Sequence, residues 1–182
     1  LPTAPIRFPA PGGPMSAVAP SDFTRAMAQV PSPVTIVTTT DGSGRRWGFT
    51  ASSFSSLSLD PPLVLVCPAK SAGSHDTFVA AERFMINILS AEQAAIARHF
   101  ARSGHDKFTT GDMVPCELDL PGLPGATARL ACTAHAVLDG GDHSILVGRV
   151  EAVYVGDQEP LVYHNRTFTR PEAASPALAA AR

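Results

Sequence analysis

The run from Arg129 to Val155 constrains the fold most tightly. Leu130, Cys132, Ala134, Ala136 and Leu138 alternate with Arg129, Thr133 and His135. That period of two is the mark of an extended strand with one apolar and one polar face. Asp139-Gly140-Gly141-Asp142 then supplies turn residues, and a second long strand follows from about Ser144 to Val155.

The rest of the chain reads the same way. Val34 to Thr40 is rich in β-branched residues and predicts a strand, with Asp41-Gly42-Ser43-Gly44 as a turn into the next one. Leu63 to Cys67, Arg83 to Leu89 and Leu161 to Tyr163 are further strand candidates. Helical spacing is scarcer. Phe23, Ala26, Met27 and Val30 lie on one helical face behind Ser21 or Asp22 as cap, and Pro31 and Pro33 stop that helix. Ser74 can cap a short helix to about Ala81. Ser90 and Gln93 form a capping-box pattern for another, with Ile96 and Phe100 on its inner face. The fold class is therefore mainly β with a few short helices. Without βαβ alternation, an antiparallel barrel is favoured over a doubly wound sheet.

The 182 residues suit one domain, and 45% hydrophobic with 16% charged content fits a globular chain. Residues 1–20 hold six prolines and read as an extended or disordered arm, residues 21–171 as the domain, and 172–182 as an Ala-rich tail. A formal charge of -2 makes no electrostatic case for nucleic acid or an anionic membrane. No apolar run is long enough to span a bilayer, and the N-terminus shown lacks the apolar core of a signal peptide. Cys67, Cys116 and Cys132 are widely spaced, so no metal site or disulfide framework is indicated and a reduced, cytoplasmic setting is expected.

Three segments carry candidate chemistry. Thr50, Ser52, Ser53, Ser55, Ser56 and Ser58 crowd six hydroxyls between two strand candidates, ahead of Asp60-Pro61-Pro62. Such a run suits close backbone approach to an anionic, ring-bearing ligand, although an ordinary solvated loop also uses Ser and Thr to satisfy its own backbone. Lys70-Ser71-Ala72-Gly73-Ser74-His75 leads from a strand into a helix and could hold a phosphate, or be a plain cap with a surface lysine. Gly141-Asp142-His143 sits at a turn, where His143 could move a proton or bind substrate near neutral pH, or simply be exposed. Neither G-x-G-x-x-G nor a P-loop occurs, so a nucleotide would bind outside the Rossmann scheme.

In order along the chain, Gly48-Phe49-Thr50-Ala51-Ser52-Ser53-Phe54, Ser58-Leu59-Asp60-Pro61-Pro62-Leu63-Val64, Asn87-Ile88-Leu89, Asp106-Lys107-Phe108, Gly141-Asp142-His143 and Pro160-Leu161-Val162-Tyr163 resemble the short-chain flavin reductase family. The resemblance implies the antiparallel split β-barrel that binds FMN. It also implies an NAD(P)H:flavin oxidoreductase that passes hydride from NADH or NADPH to FMN or FAD. Such reductases commonly form homodimers and supply reduced flavin to a partner flavin-dependent monooxygenase.

Carried over residue by residue, Thr50, Ala51, Ser52, Ser53, Phe54 and Ser58 would line the flavin ring and ribityl chain. Lys70, Ser71 and Ser74 would approach the phosphate, and His99 and Phe100 would close the pocket. His143 is the candidate catalytic residue and would face the nicotinamide with Phe168, which stands where relatives often carry Tyr. Hydride transfer needs orientation and electrostatics from the protein, not an acid–base triad. The competing readings are a split barrel that holds flavin for electron transfer or storage without oxidising a nicotinamide, and a flavoenzyme acting directly on an organic substrate.

Overall fold

The computed structural model describes residues 18–110 and 112–172. The expected arm and tail lie almost wholly outside the described residues. Helix α1 spans Pro20–Ala28 and begins earlier than Ser21 or Asp22 would have it. Pro20 occupies the first turn, where its missing N–H is an orphan position anyway, and Ala19 caps without a side-chain bond.

Strands β1 (Ser32–Pro33), β2 (Thr35–Thr40), β3 (Arg46–Ala51), β4 (Ser55–Ser58) and β5 (Leu63–Val66) follow. Then come α2 (His75–Ala80), β6 (Arg83–Ile88) and, behind a single 3₁₀ turn, α3 (Ala94–Ala101). Short strands β7 (Val114–Pro115) and β8 (Pro121–Gly122) precede the long pair β9 (Ala128–Gly140) and β10 (His143–Val155). Strands β11 (Val162–His164) and β12 (Thr167–Thr169) end the described chain. The capping box is formed as expected, with the Ser90 N–H donating to Gln93 Oε1 at 3.0 Å.

One seven-stranded antiparallel sheet, ordered β3-β2-β6-β9-β10-β5-β4, dominates. Its outer strands β3 and β4 are joined by only Ser52, Ser53 and Phe54. Four Cα steps reach at most about 14 Å, whereas seven strands laid flat would separate the edges by roughly 29 Å. The sheet must therefore curl until its edges approach. The hydroxyl-rich segment is thus a loop only at Ser52 and Ser53. It supplies the end of one edge and all of the other, because Ser55, Ser56 and Ser58 pair with β5.

Apolar side chains fill the inside of the curl: Val37, Phe49, Val66, Phe78, Phe84, Ile86, Cys132 and Leu146 form one buried cluster. Phe49 meets Phe78 of α2 edge-on at 4.7 Å. A second cluster joins Val34, Ile36 and Leu89 to Ala97 and Phe100 of α3 and to Phe108. The alternation read in β9 holds only in part. Ala131 is as buried as Cys132, because Met85 and Leu120 cover the opposite face. Beyond Thr133 the strand runs out past the core, leaving Val137 and Leu138 exposed. The apolar stripe of α1 is likewise uncovered, with Phe23 at 58% and Met27 at 49% exposure.

Two positions make the core testable. A Cβ on Gly148 would stand 2.5 Å from the Phe84 ring and 2.9 Å from Cys132 Cβ. Gly148→Ala should therefore destabilise the fold by about 1–3 kcal/mol through overpacking, measured by denaturant unfolding; an unchanged midpoint would mean that Phe84 yields freely.

Arg129 grips Glu117 with two 2.9 Å bonds and donates a third to Leu123 O at 3.2 Å. The bonds from Arg129 hold the Glu117 carboxyl below its ordinary range. A depressed carboxyl pKa stabilises the fold above the unfolded value, near 4.3, and that contribution is lost as pH falls through the folded value. Glu117→Gln should accordingly lower stability at pH 7 and flatten its decline below about pH 4.5, read from unfolding midpoints across pH.

Candidate functional site

Strand β3 floors a cavity of about 760 Å³, a size ordinary for small-molecule sites. Its hairpin with β2 is tied by Asp41, whose carboxylate accepts bonds from the Ser43 N–H and hydroxyl, the Arg45 N–H and Trp47 Nε1. Those donors, led by the Ser43 hydroxyl and the indole, lower the Asp41 pKa to about 2. Farther along, the Thr50 hydroxyl donates to Ala97 O at 2.7 Å and fixes α3 over the strand. Gly48 is required there, since a Cβ would come within 2.7 Å of the Phe100 ring.

The far end of β3 meets β5. Ser53 Oγ accepts from the Cys67 N–H at 3.0 Å and lies 3.3 Å from Cys67 O. The Ala69 backbone bridges to His143, and the Lys70 N–H donates to Asp142 O at 2.9 Å, so the turn before β10 is bound to the segment before α2. These contacts bring Thr50, Ala51, Ser52, Ser53, Ser74, Phe100 and His143 to one cavity wall. Ser74 is buried at the N-cap position of α2, yet its hydroxyl makes no cap bond. His143 donates Nδ1–H to Asp142 Oδ1 at 2.7 Å, which leaves Nε2 as the free ring nitrogen. The imidazole beside it lowers the Asp142 pKa.

Other expected residues stand apart from this cavity within the chain. The Lys70 ammonium is paired with Asp139, and Ser71 is exposed. Phe54 packs against the inner cluster, and Ser58 lies in β4. His99 donates Nε2–H to Lys107 O at 3.0 Å and faces another groove beside α3. Phe168, in β12, meets Tyr163 edge-on at 5.5 Å, with Arg98 over its ring.

Residues not singled out individually for the site also line it. Lys107 donates to Phe100 O at 2.7 Å and Gly48 O at 3.0 Å, clamping 105–108 onto β3 and α3. Burial of its ammonium lowers the Lys107 pKa. Its signal was present in Asp106-Lys107-Phe108, but nothing local says which carbonyls the ammonium will reach. Arg45, Arg46 and Trp47 also line the cavity, and they read in sequence only as a hairpin end.

A curled antiparallel sheet with a strand-floored polar and aromatic cavity defines a small-molecule-binding β protein. Residues 27–172 match the flavin reductase-like domain, and the chain belongs to that family. It is 42% identical over 166 residues to an NADH:riboflavin 5'-phosphate oxidoreductase of Streptomyces pristinaespiralis, covering 90% of this chain and 94% of that one. Identity is 39% over 142 residues to the reductase component of a flavin-dependent trigonelline monooxygenase of Acinetobacter baylyi. That match covers 78% of this chain and 46% of the relative, so the chain spans about half of that longer protein.

Among solved structures, the NADH:FAD oxidoreductase SgcE6 of Streptomyces globisporus superposes with a TM-score of 0.80 at 36% identity, covering 89% of this chain and 100% of that one. The same protein has been solved with NAD and FAD fragments, at a TM-score of 0.78 and 35% identity, covering 89% of this chain and 98% of that one.

Lys107 offers a direct check on how the cavity is held. Lys107→Met should lower stability by about 1–3 kcal/mol, because two carbonyls lose a charged donor. Loss of thermal stability is the expected readout; an unchanged melting temperature would show that the clamp contributes nothing.

Proposed function

We propose that this protein is an NAD(P)H:flavin oxidoreductase that reduces FMN or FAD by hydride transfer and supplies reduced flavin to a separate flavin-dependent monooxygenase. The observation that carries this reading is the cavity itself. Backbone and hydroxyl groups of Thr50 to Ser53 line its floor, the free Ser74 hydroxyl its wall, and His143 its rim. Phe49, Phe100 and Phe108 supply aromatic surface, and Ser52, Ser53 and Ser74 supply short polar groups, a mixture that fits a flat ring with an anionic tail.

Bound flavin and nicotinamide supply the hydride chemistry. The chain's residues position and shield. Thr50, Ala51, Ser52 and Ser53 form the ring and ribityl side, which Phe54 and Ser58 do not reach within the chain. Ser74 forms the phosphate side and Phe100 of α3 closes the pocket, whereas Lys70, Ser71 and His99 lie outside that cavity within the chain. His143 offers Nε2 to the nicotinamide carboxamide, whereas Phe168, packed on Tyr163, lies outside that cavity within the chain.

The curl of the sheet supports the split-barrel form of this fold, with β3 and β4 as the two unpaired edges. The uncovered apolar faces of α1 and of the β9–β10 tip support a homodimer. The three free cysteines favour a reducing, cytoplasmic setting. Among the described residues, no helix is long and apolar enough to cross a membrane.

Oxidation of NADH and NADPH, followed by absorbance with FMN and then FAD as acceptor, tests the reading. Flavin-dependent turnover is expected; tight flavin binding without turnover would instead make this a storage or electron-transfer protein. His143→Ala should raise the Michaelis constant for NADH about three- to tenfold while changing that for flavin less. The reverse pattern would remove His143 from the nicotinamide side. Ser74→Asp should weaken FMN binding by charge repulsion, and an unchanged dissociation constant would place the phosphate elsewhere.

A further inference from the structure

Arg45, Arg46 and Trp47 form an end of the cavity that the reading above leaves unused. The Asp41 carboxylate is consumed by its four donors within the turn, so it holds the indole in place at 2.8 Å and does not reach either guanidinium. Among the described residues, neither Arg45 nor Arg46 has a carboxylate at ion-pair distance. Each is laid instead on an aromatic plate. The Arg45 guanidinium sits 4.2 Å over the Trp47 ring, and that of Arg46 sits 4.8 Å over Phe108 while donating to Met113 O at 3.4 Å.

Arg45 on Trp47 and Arg46 on Phe108 lie toward opposite faces of β3, so they flank the open edge of that strand, and among the described residues most of their donors are unpaired. An edge flanked by two guanidiniums and two aromatic rings suits a diphosphate joined to a flat base. Their position separates them from the Ser74 end. Ser53 pins one end of β3 to Cys67, and Arg46 begins the other. The strand between Arg46 and Ala51 is about 17 Å long. One phosphate cannot therefore be held at both ends.

We infer that Arg45, Arg46 and Trp47 bind the adenosine-diphosphate half of a dinucleotide, at the end of the cavity remote from Ser74. This rests on the cavity being the nucleotide site proposed above. FAD and NAD(P)H share that chemical half, and either could present it.

Trp47 is the chain's one tryptophan, so its fluorescence reports on this end directly. Titrating ADP, which carries neither ring system, into the full chain should change Trp47 emission saturably. The paired substitution Arg45→Ala with Arg46→Ala should weaken ADP about tenfold or more, since charged hydrogen bonds are lost, and should leave the FMN dissociation constant within about twofold.

If FAD presents the diphosphate, the double variant loses FAD affinity relative to FMN. If the nicotinamide dinucleotide does, the Michaelis constant for NADH rises with FMN as acceptor. Either result supports the inference. Silent Trp47 emission with ADP, or FMN weakened as much as ADP, overturns it, even where NADH oxidation shows the reductase reading to be sound. Absence of both flavin binding and turnover would overturn the reductase reading instead.

Discussion

The three residues between Ala51 and Ser55 are the constraint on which the rest depends. Two edge strands at opposite ends of a seven-strand order are tied within about 14 Å, so the sheet curls and encloses Phe49, Phe78, Phe84 and Leu146. The same curl brings the end of β3 beside the end of β5, where Ser53 joins Cys67. From that junction the chain places Ser74 and His143 against a common cavity. The site is thus a consequence of closing the sheet, not a separate device attached to it.

Within the cavity, the polar groups divide into those used by the fold and those left open. Thr50, Ser53 and Lys107 spend their donors on Ala97, Cys67, Gly48 and Phe100, which fixes the walls. Ser74 and the Nε2 of His143 keep free atoms. Groups that already hold the wall in place lose little freedom when a ligand arrives, which favours binding through preorganisation. Burial of Lys107 lowers its pKa, yet the two carbonyls it meets keep the ammonium bonded at both ends of its reach.

Local signals were legible wherever the cause was local. A β-branched run gave β2, the long alternation gave β9, and the Ser90–Gln93 pair gave its capping box. Misreadings came where distant partners decide. Ser55 to Ser58 lack strand propensity and become β4 because β5 offers a ladder. The stripe on α1 has helical spacing, but among the described residues no element covers it. The face of β9 that carries Arg129 and Thr133 read as polar, yet Ala131 between them is buried by Met85 and Leu120.

Sequence by itself determined the mainly β class, the positions of most strands and the ordered motifs that resemble flavin reductases, because propensity, turn chemistry and motif order are properties of neighbouring residues. It marked Thr50 to Ser53, Ser74 and His143 as separate candidates. Only the tertiary structure decided that these meet in one cavity while Lys70 pairs with Asp139 and Phe168 packs on Tyr163. It alone showed Arg45 and Arg46 resting on Trp47 and Phe108. Such pairings are fixed by the curl of the sheet, and curl depends on contacts between residues far apart in the chain.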